Sequence, residues 1–80
     1  MSMLDKAIQI ATKSHFGQTD KAGKPYILHV LRVMFEMETE EEMVTAVLHD
    51  TIEDTDLSID DLRKEGISEK VLSALMLLTH

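Results

Sequence analysis

Two histidines and three carboxylates interrupt segments that are otherwise apolar on helical spacing: His29, then His49-Asp50, then Glu53-Asp54. The pattern is His, nineteen residues, His-Asp, two residues, Glu-Asp. On a helix His49 and Glu53 are i and i+4, as are Asp50 and Asp54, so four ionisable groups crowd into about one and a half turns. Three carboxylates that close raise one another's pKa and weaken the helix unless a cation sits among them, which is the physical argument for a metal. Imidazole and carboxylate without thiolate suit a hard or borderline divalent ion, manganese or iron more naturally than calcium, with zinc also open. His29, His49 and Asp50 would supply three ligands, leaving positions for a water and a substrate oxygen. Glu53 and Asp54, just beyond them, would accept a proton from that water or orient it. The reaction class this suggests is hydrolysis of a phosphate ester.

Each piece has a plainer reading when taken alone. A lone His29 would be a satisfied core histidine. Glu53-Asp54 would be a helix end running into a turn, and Glu40-Glu41-Glu42 a solvated first turn. Lys21 and Lys24 would be solvated loop charges, and the six methionines core filler. The joint pattern on two apolar helices is what carries the metal reading.

The elements that must position these residues follow from capping and periodicity. Ser2 with Asp5, and Leu4, Ala7, Ile8 and Ala11 on one face, predict a first helix over 3–15. Phe16 to Pro25, with Gly17, Gly23 and Pro25, predicts a loop long enough to be functional. Pro25 at a helix start and Ile27, Val30, Leu31 and Met34 predict a second helix over 26–37. Thr39 with Glu42 forms a capping box, so a third helix starts near Glu40 and ends near Thr51 or Asp54. Its apolar positions nearly encircle it, which predicts the central helix. Ser58 with Asp61 predicts a short helix over 59–65, ended by Gly66. Ser68 and Glu69 open a last helix whose Val71, Leu72, Leu75, Met76 and Leu78 form a broad apolar face. The fold class expected is all-α, a bundle of four to five helices in a single unit over 1–80, with the end at His80 expected to be a cut rather than a finish.

Composition narrows the function classes. Eighty residues are too few for a doubly wound nucleotide domain or a barrel. There is no cysteine, hence no disulfide framework, thiolate zinc site or cysteine nucleophile. Lys and Arg total 8 against 15 Asp and Glu, a net charge of -7, which opposes binding to nucleic acid or to an anionic membrane face. One tyrosine and two phenylalanines leave few rings for base stacking. With no leader pattern and no apolar run near ~20 residues, the chain reads as cytoplasmic.

The run Gly17-Gln18, Lys21, Gly23, Pro25-Tyr26-Ile27, His29, followed by Ala46-Val47-Leu48-His49-Asp50-Thr51-Ile52-Glu53-Asp54-Thr55, resembles the HD-domain hydrolases of the RelA/SpoT family, which remove the 3′-pyrophosphate from the alarmones ppGpp and pppGpp. The resemblance implies an HD-type helical domain, present in part. It implies metal ligation by His29, His49 and Asp50, with manganese as the ion, and water activation by Glu53 and Asp54. It puts Lys21 near the nucleotide; Lys24 and Tyr26, on the same loop and its exit, are further substrate-binding candidates. Three departures stand out. Asp20 occupies the place of an Arg common in the family, which opens other nucleotides and phosphate monoesters as substrates. Val30 stands where a Pro is usual. The Asp of a later helix that the resemblance implies as a fourth ligand lies past the last residue here.

The function expected is therefore a metal-dependent phosphohydrolase acting on a nucleotide or another phosphorylated small molecule, without nucleic-acid or membrane partners. The alternative is a catalytically incomplete module that binds metal or nucleotide, or that self-associates through its last helix.

Overall fold

The structure, a computed structural model, describes residues 2–79, with only the backbone of Thr79 described. The expected cut at His80 lies outside the described residues. Five helices follow one another: α1 (Met3–Ser14), α2 (Ile27–Phe35), α3 (Glu40–Asp54), α4 (Ile59–Lys64) and α5 (Glu69–Thr79). Among the described residues there is no named strand, only an isolated antiparallel bridge between Thr19 and Pro25. The fold is an all-helical bundle, as the periodicity predicts, and HD-like, as the resemblance implies.

Local chemistry sets where most helices begin. Ser2, Thr39 and Ser58 each accept a hydrogen bond from the backbone N–H three residues on, and the carboxylates of Asp5, Glu42 and Asp61 accept one from the backbone N–H of the cap. Each box satisfies two amides that the first turn would otherwise leave open. Gly66 has φ 93, the left-handed turn that ends α4.

Three helices are shorter than their periodicity suggests, α4 only by Glu65, which is its C-cap. α1 ends at Ser14, with His15 as its cap. α2 starts at Ile27 rather than Tyr26 and ends at Phe35 rather than Met37. The late start has a cause in the preceding loop, which closes on itself: Asp20 N–H donates to the Lys24 carbonyl at 2.8 Å, and the Asp20 carboxylate accepts from the amides of Ala22 and Lys24 at 2.9 and 3.0 Å. Pro25 is thereby held in extended pairing with Thr19, before the helix rather than in its first turn.

α3 packs on α1, α2 and α5, so it is the central helix, with Val44, Val47, Leu48 and Thr51 buried. Around it close Ala7, Ile10 and Ala11 of α1, Val30 and Met34 of α2, Leu62 of α4, Ile67, and Val71, Leu72 and Leu75 of α5. The face expected of α5 is narrower in the fold, because Met76 and Leu78 are exposed. Nor are the methionines uniformly core filler: Met34 is buried, Met3, Met37 and Met43 are half-buried, and Met76 is exposed. Arg63 joins α4 to α5 through Glu69 at 2.9 Å and also pairs with Asp60 at 2.9 Å.

Candidate metal-binding site

The site lies where the last two turns of α3 face the first turn of α2. Capping fixes the register of α3, and the burial of Val44, Val47, Leu48 and Thr51 turns His49 and Asp50 toward the partly open side. Val30 and Met34 anchor α2 in the core, which leaves His29 on its rim. His29 is not a core histidine, since its side chain is 45% exposed and faces Asp50.

Asp50 is the point of convergence. Its Oδ2 lies 3.7 Å from His29 Nε2, and its Oδ1 lies 3.9 Å from His49 Nδ1. Neither separation is a hydrogen bond. Oδ2 is also buried without any hydrogen-bond partner. Burial raises the Asp50 carboxyl above the ordinary carboxylate range; His29 and His49 pull it back down, and Asp54 and Glu53 push it further up.

His49 Nε2 lies 2.7 Å from Glu53 Oε1, so that ring nitrogen carries the proton and donates it. A histidine whose far N–H is held by a carboxylate turns its other nitrogen, as a lone pair, toward the site. Here that nitrogen is Nδ1, the one facing Asp50. Asp54 is exposed and interacts with the hydroxyl of Tyr26. The Tyr26 phenol is pushed up to about 12, first by burial and then by the hydrogen bond and negative charge of Asp54, with Asp50 and Glu53 adding to it. The Tyr26 and His29 rings lie 5.3 Å apart, tilted by 42°.

These observations test whether a divalent cation suits the residues present. Two imidazoles approach one carboxylate, one imidazole has its tautomer set by Glu53, and a buried carboxylate oxygen has nothing to bind. The donor set fits. As they stand, no three His, Asp or Glu side chains among the described residues close into a group that could hold an ion.

The other expected residues do not converge there. Lys21 and Lys24 are exposed on the 16–25 loop, and among the described residues neither side chain makes a hydrogen bond or ion pair. Asp20, which replaces an expected cation, ties this loop together. His49 and Asp50 also line a groove of about 440 Å³ between α2, α3 and α5, walled by Val33, Met37, Ala46, Ala74 and Leu78.

Sequence reasoning missed His15. It is buried, its Nε2 is 3.2 Å from Thr51 Oγ1, and its ring is 5.1 Å from that of Tyr26. No local signal marks it, because Thr51 is 36 positions away.

A helical bundle whose central helix carries a His-Asp pair in its last two turns, facing a histidine of the neighbouring helix, is HD-like. No family model matches the chain. Among curated proteins it is similar to the guanosine-3′,5′-bis(diphosphate) 3′-pyrophosphohydrolase of Aquifex aeolicus, 36% identical over 72 residues, 85% of this chain and 10% of that protein. The protein of the same name in Vibrio cholerae is 41% identical over 63 residues, 74% of this chain and 9% of that one. The GTP pyrophosphokinase of Streptomyces coelicolor is 38% identical over 69 residues, 81% of this chain and 8% of that one. Over the segment it covers, the chain is similar to proteins of these names, in keeping with the resemblance its motifs carry. It spans about a tenth of the length of the curated relatives it matches. Their names divide between a hydrolase and a pyrophosphokinase, so the shared segment alone does not choose between those activities.

Among the described residues no helix is long and apolar enough to cross a membrane.

Proposed function

We propose that this chain carries the metal-binding and water-activating residues of an HD-type phosphohydrolase acting on a nucleotide bearing a 3′-diphosphate. The observation that supports this best is the convergence of His29 and His49 on Asp50, whose buried Oδ2 has no partner. His29, His49 and Asp50 would hold the ion, for which the donor chemistry suits manganese or iron and the family resemblance points to manganese. A divalent cation bound there would polarise a phosphoryl oxygen and supply an activated water near neutral pH.

The chain's own residues divide the remaining work. Glu53 keeps His49 in the tautomer whose Nδ1 is unprotonated, and its half-exposed carboxylate can accept a proton from water. Asp54 accepts a hydrogen bond from the Tyr26 hydroxyl, which keeps the phenol protonated and leaves its oxygen free to accept from a ligand hydroxyl such as that of a ribose. Lys21 and Lys24 would offset charge on the anionic ligand. Asp20, engaged in the loop, gives them no neighbouring positive charge at position 20, so other 3′-phosphorylated nucleotides and phosphate monoesters belong in the substrate panel.

The test is release of pyrophosphate or orthophosphate from such a panel with added manganese. Glu53→Gln, whose amide oxygen can still accept from His49, should bind manganese as wild type does but lose turnover. Asp50→Ala should lose both. Equal loss of metal in the two variants would end this division of roles. One observation favours a second reading, a module that binds without turnover: no three ligands among the described residues close around one point. Manganese binding with no hydrolysis of any substrate would select it.

A further inference from the structure

We propose that His15 is a positioning residue for the site, setting the orientation of Tyr26 and, through it, of His29 and Asp54. The argument starts from the oddity of an imidazole 2% exposed in the core of so small a protein. An apolar side chain would fill that volume without needing partners, whereas a buried polar ring must satisfy both nitrogens. His15 satisfies both.

Its partners lie on different elements. Nδ1 is 2.9 Å from Gln18 Oε1 in the loop, and Nε2 is 3.2 Å from Thr51 Oγ1 on α3. The Thr51 hydroxyl already donates to the Val47 carbonyl at 2.8 Å, so it accepts from His15 and Nε2 carries a proton; in a neutral ring Nδ1 is then the acceptor, satisfied when the Gln18 side-chain amide turns its NH2 rather than its oxygen toward the ring. The ring plane is thus fixed from two sides. Against it lies Tyr26, with centroids 5.1 Å apart and the planes tilted by 44°. The Tyr26 backbone N–H is bound in turn by the Gln18 carbonyl at 2.9 Å. Tyr26 then touches His29 by its ring and Asp54 by its hydroxyl. Hydrogen bonds hold direction where apolar packing does not, and the line Thr51, His15, Tyr26, His29 runs from the helix of Asp50 to the ligand on the facing helix. The consequence for metal binding rests on the reading given under Proposed function; the consequence for Tyr26 does not.

The chain has one tyrosine and no tryptophan, so its near-ultraviolet tyrosine circular dichroism reports Tyr26 alone. Thr51→Val keeps volume and removes the acceptor; His15→Phe keeps a ring and removes both nitrogens. In whichever of these retains its helical far-ultraviolet signal, the tyrosine band should fall by about half or more, and manganese should bind roughly tenfold more weakly. Thr51→Ser, which restores the hydroxyl, should recover both. A purely structural role would lower the melting temperature while leaving the band and the manganese affinity of the folded variants unchanged, and that result overturns the proposal. So does failure of Thr51→Ser to recover them. If wild type binds no manganese, the metal reading fails by itself, and the tyrosine band still decides the role of His15.

Discussion

Asp50 is the residue on which the fold and the site make opposite demands. Its carboxylate is partly withdrawn from water with one oxygen unpartnered, so without a cation the charged form is disfavoured in the folded protein. A folded-state pKa above the ordinary carboxylate value of 3.8 means that the folded chain holds the proton longer than the unfolded chain. The associated stability is present below that ordinary value and is lost as pH rises through the raised one. Metal-free Asp50→Asn should therefore melt above metal-free wild type near neutral pH, and the gap should close on acidification. Thermal melts in chelator across pH check this; a gap independent of pH would mean that burial of the charge is not its source. The same variant should bind manganese far more weakly. These residues differ in how far the sequence discloses them. His29, His49, Asp50, Glu53 and Asp54 are legible because ionisable groups on apolar helices are chemically out of place. His15 is not, since a histidine after an apolar stripe looks like a helix end, and its meaning comes from Thr51, which only the tertiary fold brings near.

At the scale of the helix, the beginnings were readable and some of the ends were not. Capping boxes are local chemistry within four residues, so Ser2, Thr39 and Ser58 announce α1, α3 and α4. The start of α2 depends on how the 16–25 loop closes, through Asp20 and the Thr19–Pro25 bridge, which no periodicity displays. Which side of α5 is buried likewise depends on its neighbours. The cap of α3 yields a separable test. Thr39→Ala removes the acceptor for the Glu42 amide and should destabilise the protein by about 1 kcal/mol, a fall in melting temperature of roughly 4–8 °C for a chain of this size. Manganese affinity of the folded variant should not change, because the site lies at the opposite end of α3. Glu42 adds a pH signature: backbone amides of Thr39 and Glu38 hold its carboxyl below the usual range, so the contribution of this box fades as pH falls through that depressed value.

For the whole molecule, the issue is what two facing helices gain from a shared ion. Chains this small bury only about 60% of the surface they expose when unfolded, so added cross-links weigh heavily. At manganese concentrations a hundredfold above its dissociation constant, binding to the folded state alone contributes about 2.7 kcal/mol. That should raise the melting temperature by on the order of ten degrees, reversibly with chelator. Scanning calorimetry checks it, and no shift at saturating manganese would count against His29, His49 and Asp50 acting on one ion.

α3 has acidic residues in its first turn, where the helix dipole welcomes them, and Glu53 and Asp54 with no basic residue in its last, where the dipole rejects them. A protein engineer seeking a hardier scaffold would begin by writing lysine or arginine into that last turn. Those edits would fall on the very positions assigned to handling water. Selection for robustness and selection for chemistry thus compete over the same few codons, and variants recovered by heat alone should drift toward inert proteins.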